Sequence, residues 1–148
     1  MKERPMQLKC DSVTSPEDLQ ACLALRREVF VKEQNVPQSL ETDGLDEAAR
    51  HFAVRAGERI VATARVRLMG SAAKIERVAV QRDFRGMGCG AFLMKYIMQE
   101  VAAGGNVRLF KLNAQVDSMM FYEKLGFKKH GPEFLDAGIP HYAMVCEK

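Results

Sequence analysis

The stretch Arg85-Gly86-Met87-Gly88-Cys89-Gly90 constrains this chain more than any other segment. It follows an alternating run, Ile75-Glu76-Arg77-Val78-Ala79-Val80, and leads into a helical pattern that begins at Ala91. Glycine at every second position lets the backbone pass close to a bulky ligand and turns successive N–H groups one way. The start of a helix adds a preference for negative charge. A pyrophosphate group suits such a turn. The alternative is a glycine-rich strand-to-helix connection that holds no ligand.

Gly86-x-Gly88-x-x-Ala91 also satisfies the dinucleotide form G-x-G-x-x-A, but its context is wrong. Those glycines follow the first strand of a parallel sheet, and an acid roughly 20 residues further on meets the ribose. Here the preceding strands are hairpin-like, the next strand ends Lys111-Leu112-Asn113 without an acid, and under half the chain remains. No Gly-Lys-Ser/Thr follows, which excludes a Walker A loop.

The rest of the pattern reads β-α-β-β-β-α-β-α-β-β. Met6 to Cys10 alternates weakly as a first strand. Ser15-Pro16-Glu17-Asp18 supplies an N-cap, a proline at the first helical position and early acids. The helix it starts runs to about Val31 or Lys32, burying Leu19, Cys22, Leu23 and Phe30. Gln38 to Arg50 is acidic and poor in apolar residues, which predicts an exposed loop or short helix. His51–Arg55 and Arg59–Leu68 form a hairpin about Ala56-Gly57-Glu58, and Lys74–Val80 is a third antiparallel strand. Beyond the glycine turn come a helix to Ala102, a strand Val107–Leu112, a helix Val116–Leu125 ending at Gly126, and strands Phe127–His130 and His141–Cys146.

With 148 residues, 47% hydrophobic and 28% charged, and no repeat or linker, residues 1–148 are expected to form one domain. Twenty-two Lys and Arg stand interspersed with 19 acids, a net charge of +3, which does not suit a nucleic-acid partner. No apolar run approaches the ~20 residues that span a bilayer, and no apolar segment follows the charged N-terminus. A cytoplasmic protein without a membrane partner is expected. Cys10, Cys22, Cys89 and Cys146 lack metal-ligand spacing, which predicts free thiols and no metal.

With Phe121-Tyr122-Glu123-Lys124-Leu125-Gly126-Phe127 downstream of the glycine turn, nearly the whole chain resembles the GNAT N-acetyltransferases. Arg27-Glu28-Val29-Phe30-Val31-x-Glu33-Gln34, Asp43 with Asp46, His51-Phe52, Ala64-Arg65 and Gly138-Ile139-Pro140-His141 are similar to the bacterial YjcF-like or ElaA-like subgroup. The resemblance implies an α+β fold whose mixed, mostly antiparallel sheet contains a splayed pair of strands and is flanked by helices. It also implies acetyl-CoA as co-substrate and, as one assembly, a homodimer.

By that resemblance, Val78, Ala79 and Val80 would pair with the pantetheine arm. The N–H groups of Arg85, Gly86, Met87, Gly88, Cys89 and Gly90 would hold the pyrophosphate, and Phe121 and Tyr122 would also meet CoA. The family's asparagine, seven residues before the tyrosine, is Gln115 here, with Asn113 close by, so either amide is a candidate CoA contact.

Acetyl transfer needs a way to deprotonate the amine and an acid for the departing thiolate. Tyr122 stands where the family's general acid stands, although an amphipathic helix would also place a tyrosine there. Glu76, two residues before Val78, would share its face by strand alternation and is a candidate base. His51 and His141 are the other candidates. Glu33, Asp43 and Asp46 would attract a cationic amine, making Glu33, Asp43, His51 and His141 candidate acceptor contacts, while Arg65 is expected to pair within the fold. The acceptor would be a small-molecule or protein amine. An acyl-CoA-binding sensor without turnover is the alternative function.

Overall fold

A computed structural model of the chain describes residues 7–148, so Met6 of the expected first strand lies outside the described residues. Strand β1 is Leu8–Ser12. Helix α1, Pro16–Arg26, starts as its sequence demands: the Ser15 hydroxyl oxygen accepts from the Asp18 N–H at 3.1 Å, and Pro16 opens the first turn. Winding continues as a π-helical segment over Arg27–Glu33. Along this run Cys22, Leu25, Arg26 and Val29 are buried, whereas Leu19, Leu23 and Phe30 are only half-buried. The stripe differs from the apolar spacing because the Arg26 guanidinium is drawn inward by carboxylates.

Next come the short helix α2 (Gln38–Glu41) and the strands β2 (Arg50–Ala56), β3 (Arg59–Met69) and β4 (Ala72–Val80). A 3-10 turn, Arg82–Phe84, precedes helix α3 (Cys89–Ala102). Strand β5, Leu109–Gln115, runs past the expected end at Leu112. The expected helix Val116–Leu125 is therefore a 3-10 turn, Val116–Ser118, followed by the shorter α4 (Met119–Lys124). Strands β6 (Lys128–Lys129), β7 (Phe134–Asp136) and β8 (Ile139–Glu147) complete the chain, β7 being a strand that the sequence pattern did not show. Its turn into β8 has positive φ at Ala137 and Gly138, the geometry of a tight two-residue hairpin.

The sheet runs β1-β2-β3-β4-β5-β8-β6, with β7 on β8. All pairings are antiparallel except β4 with β5. One face packs on α3 through residues such as Phe52, Val66, Ile75, Leu93, Ile97 and Leu112. On the other face Leu25 and Val29 cover Ala79.

Two features of β4 position everything that follows. Its parallel pairing with β5 covers only Ala72–Lys74 against Leu109–Lys111, after which the strands part. Arg77, at φ +56°, forms a bulge against β3, where Thr63 pairs with Ala79 but Arg65 pairs with Glu76. The extra residue reverses the alternation: Ile75 and Val78 both pack toward the α3 core, whereas Ala79 faces α1. Glu76 pairs with Arg65 on the opposite face from Val78, so the shared face expected from simple alternation does not occur.

The bulge is held by charge. Arg26 and Arg65 are 1% and 0% exposed. The Arg26 guanidinium donates to Glu41 at 2.6 Å and to Asp46 at 2.7 Å. Arg65 donates to both Asp43 oxygens at 2.8 and 2.9 Å, to Asp46 at 3.0 Å and to Glu76 at 2.9 Å. Arg77 donates to Glu41 at 3.0 Å and to the Leu40 and Glu41 carbonyls. The acidic segment after α2 is thus bound into the fold as counter-charge.

Removing one member of such a network strands the others without partners, which costs about 3–5 kcal/mol. Arg65→Met is expected to lose stability in that range by urea denaturation, and wild-type stability would exclude this account. Burial is the largest influence on the Glu76 carboxyl and raises it, but the bonds and charges of Arg67, Arg65 and Lys74 outweigh burial and bring it from 4.5 to about 2. A carboxyl lowered by folding stabilises fully above its unfolded value and loses that contribution as pH falls. Urea midpoints should therefore decline between pH 4.5 and about 2, and Glu76→Gln should flatten part of that decline.

Candidate active site

The parted ends of β4 and β5 open into two clefts, one on each side of the sheet. On the α3 side a cleft of about 580 Å³ is lined by Val78, Ala79, Val80, Phe84, Arg85, Gly86, Gly88, Cys89, Gly90, Phe121 and Tyr122. On the α1 side a cleft of about 250 Å³ is lined by Phe30, Leu40, Lys74, Glu76, Arg77, Asn113, Gln115, Asp136 and His141, among others. Val78, Tyr122, Gln34 and Ser118 line both, so the clefts meet at the gap between the strands.

The glycines of the turn serve different purposes. Gly86 and Gly88 have φ +78° and +83°, a region that costs an L-residue roughly 1–2 kcal/mol. Gly90 is helical, but a Cβ there would lie 3.1 Å from the Phe121 ring and 3.7 Å from Val80. Gly88 caps α3, whose first turn carries no acid, and the leading N–H groups of the helix have no intrahelical acceptor. The turn, the helix start and the unpaired edge of β4 form one continuous backbone-lined surface, which fits a ligand with an extended amide arm and a pyrophosphate. The Met87 side chain is exposed and stands outside the cleft, so only its backbone belongs to this surface.

Arg85 folds back, donating to the Val80 carbonyl at 3.0 Å and to Glu33 at 2.9 Å. Glu33 is therefore tied to the mouth of the α3-side cleft and is absent from the lining of the α1-side one. Asn113 and Gln115 line only the α1-side cleft, because β5 turns its odd-numbered side chains away from the core that buries Leu112 and Ala114. The Gln115 amide nitrogen donates to the Gln34 amide oxygen at 2.8 Å, joining the end of β5 to the end of the π-helical segment.

Tyr122 is 8% exposed, with edge-on contacts to Phe121 at 4.9 Å and Phe127 at 6.1 Å. Burial pushes its phenol above the ordinary tyrosine value, so it stays protonated across the neutral range. Glu76 is ringed by Arg67 at 2.7 Å, Arg65 at 2.9 Å and Lys74 at 3.5 Å, and its low proton affinity makes it a poor base. Asp43 lies outside both clefts with its charge committed to Arg65 and Arg77. His51 is also remote: it sits on β2, shielded from the gap by β3, with its Nε2 2.9 Å from the Asp46 carbonyl and its buried Nδ1 unpartnered.

His141 is different. It lines the α1-side cleft, stacks on Phe134 with ring centroids 5.8 Å apart, and places Nδ1 2.6 Å from the Ile139 carbonyl oxygen. A carbonyl only accepts, so Nδ1 carries the hydrogen, and in the neutral ring Nε2 keeps its lone pair.

Sequence reasoning missed Lys74, Arg77, Gln34 and Ser118 as lining residues. Arg77 had no signal, since nothing in an alternating strand marks a bulge. Gln34 and Ser118 become neighbours of the gap only through the π-helical segment and the extension of β5. The four cysteines are free thiols, with Cys22 and Cys89 buried, and no helix among the described residues is long and apolar enough to cross a membrane.

Comparison with known proteins gives the family and the fold. The sequence profile of the acetyltransferase (GNAT) domain matches residues 10–148. YjcF of Bacillus subtilis strain 168, an uncharacterized N-acetyltransferase, is 40% identical over 139 residues, spanning 93% of this chain and 99% of its own. The fold is similar to that of Escherichia coli ElaA, with TM-score 0.86, 28% identity and 95% and 100% of the two chains covered. It is also similar to an acyl-CoA N-acyltransferase from Pseudomonas aeruginosa, with TM-score 0.82, 28% identity and 95% and 99% covered. The chain belongs to the GNAT family of acyl-CoA-dependent N-acyltransferases.

Proposed function

We propose that this protein transfers an acetyl group from acetyl-CoA to a primary amine by direct attack, working in the cytoplasm. The observation that carries the reading is the gap between β4 and β5, where Tyr122 and Val78 line a cleft for each reactant. The pantetheine arm would lie along the backbone of Val78 to Val80, and the pyrophosphate against the N–H groups from Arg85 to Gly90. Bound there, acetyl-CoA supplies an activated thioester carbonyl at the gap.

The acceptor amine enters from the α1 side. His141 Nε2 takes a proton from its nitrogen, directly or through water, as the new C–N bond forms. Tyr122 gives its proton to the sulfur as the C–S bond breaks, and solvent restores both groups. Glu76, held ionised by its three cations, acts as a fixed charge that orients Arg67 and Lys74.

Calorimetry is expected to show binding of acetyl-CoA but not of NAD or ATP. Release of free thiol with an amine panel then separates an enzyme from a binding module, which would bind without release. Tyr122→Phe should leave acetyl-CoA affinity nearly unchanged and lower kcat by about 10²–10⁴-fold, and His141→Gln should lower kcat while leaving acetyl-CoA affinity nearly unchanged. Full turnover in either variant would remove that residue from the mechanism. Gly88→Ala, strained at φ +83°, should weaken acetyl-CoA binding by about tenfold or more. Unchanged affinity would move the pyrophosphate elsewhere.

A further inference from the structure

The acidic segment that would have attracted a cationic acceptor is spent inside the fold, and the balance of the network tips the other way. Its ion pairs join five cations, Arg26, Arg65, Arg67, Lys74 and Arg77, to four carboxylates, Glu41, Asp43, Asp46 and Glu76, which leaves one positive charge over. Every carboxylate serves at least two cations. Lys74 has the longest contact in the network, 3.5 Å to a Glu76 oxygen that also receives Arg67. Its side chain is 23% exposed and lines the α1-side cleft. Lys111, its register partner across β4 and β5, makes no ion pair among the described residues but does not line the cleft. On the opposite wall stand His141 and the exposed carboxylate of Asp136, which is likewise unpaired among the described residues.

Resting on the acetyl-transfer reading, we propose that the acceptor is a small amine that also carries a carboxylate, with the carboxylate held at Lys74 on the β4 wall. A partly desolvated ammonium with a weak, shared partner gains most from a substrate anion. A polyamine would place one end at Asp136 but bring its other ammonium against Lys74. Asp136 across the cleft offers the charge that receives the ammonium end before it is deprotonated. At about 250 Å³ the cleft is smaller than those that enclose drug-sized ligands.

The test uses the full chain with glycine, β-alanine and γ-aminobutyrate, each beside its own primary amide, and with putrescine. Thiol release from acetyl-CoA gives kcat/KM, and calorimetry with and without CoA gives affinity independently of turnover. At least one acid is expected to exceed its amide by about tenfold, the scale of one charge-assisted contact. Lys74→Met should bring the acid-to-amide ratio toward one, while Lys74→Arg should retain it. Amides or putrescine used and bound as well as every acid would overturn the proposal, as would an unaltered ratio in Lys74→Met. Turnover without an acid preference leaves acetyl transfer standing and removes the carboxylate. Preferential binding of an acid with no thiol release does the reverse.

Discussion

At Arg77 an extra residue in β4 breaks the register with β3 and sets which cleft each later side chain of the strand enters. A non-glycine residue at φ +56° is strained, and the strain is offset because the Arg77 side chain lands on Glu41 and on two main-chain carbonyls of α2. Glu41, itself 4% exposed, is held in turn by Arg26. The bulge turns Val78 toward the α3 side and leaves Glu76 facing the α1 side. It lies within the stretch of β4 that has parted from β5, where backbone groups are free to pair with a ligand.

This arrangement explains why the site has two mouths and one floor. A sheet paired along its length would separate the α1 and α3 sides completely. Pairing that stops at Lys74 and Lys111 leaves a slot through the sheet, and Tyr122 fills its α3 side from α4. The two clefts therefore open on opposite faces and meet without sharing an entrance. The π-helical segment after α1 supports the second mouth by placing Phe30 and Gln34 over it, a use of irregular winding common at functional sites.

Electrostatics then divides the labour. The glycine turn presents backbone N–H groups and a helix start, a surface that suits an anionic ligand, and Arg85 is occupied by Val80 and Glu33 at its rim. On the α1 side, the carboxylates that face Arg26 and Arg65 stabilise the loop at the expense of being available to a substrate. Few groups in the clefts keep spare capacity: a buried phenol, an imidazole with one nitrogen fixed, and a lysine with a shared counter-ion.

Local features were readable from the chain alone: the N-cap at Ser15, the hairpin at Gly57 and the glycine turn before α3. Each of these follows from backbone freedom or hydrophobic period within a few residues, and the family was legible separately, as a resemblance carried by two motifs in order. Which way the polar side chains face, and which charges remain free, depended on long-range contacts. The face of Glu76 depends on a bulge stabilised 36 residues away by Glu41, and the faces of Asn113 and Gln115 depend on how far β5 pairs with β8. Asp43 and His51 looked like site residues because their chemistry suited the reaction. The structure places both outside the two clefts, Asp43 bonded to Arg65 and His51 to the Asp46 carbonyl.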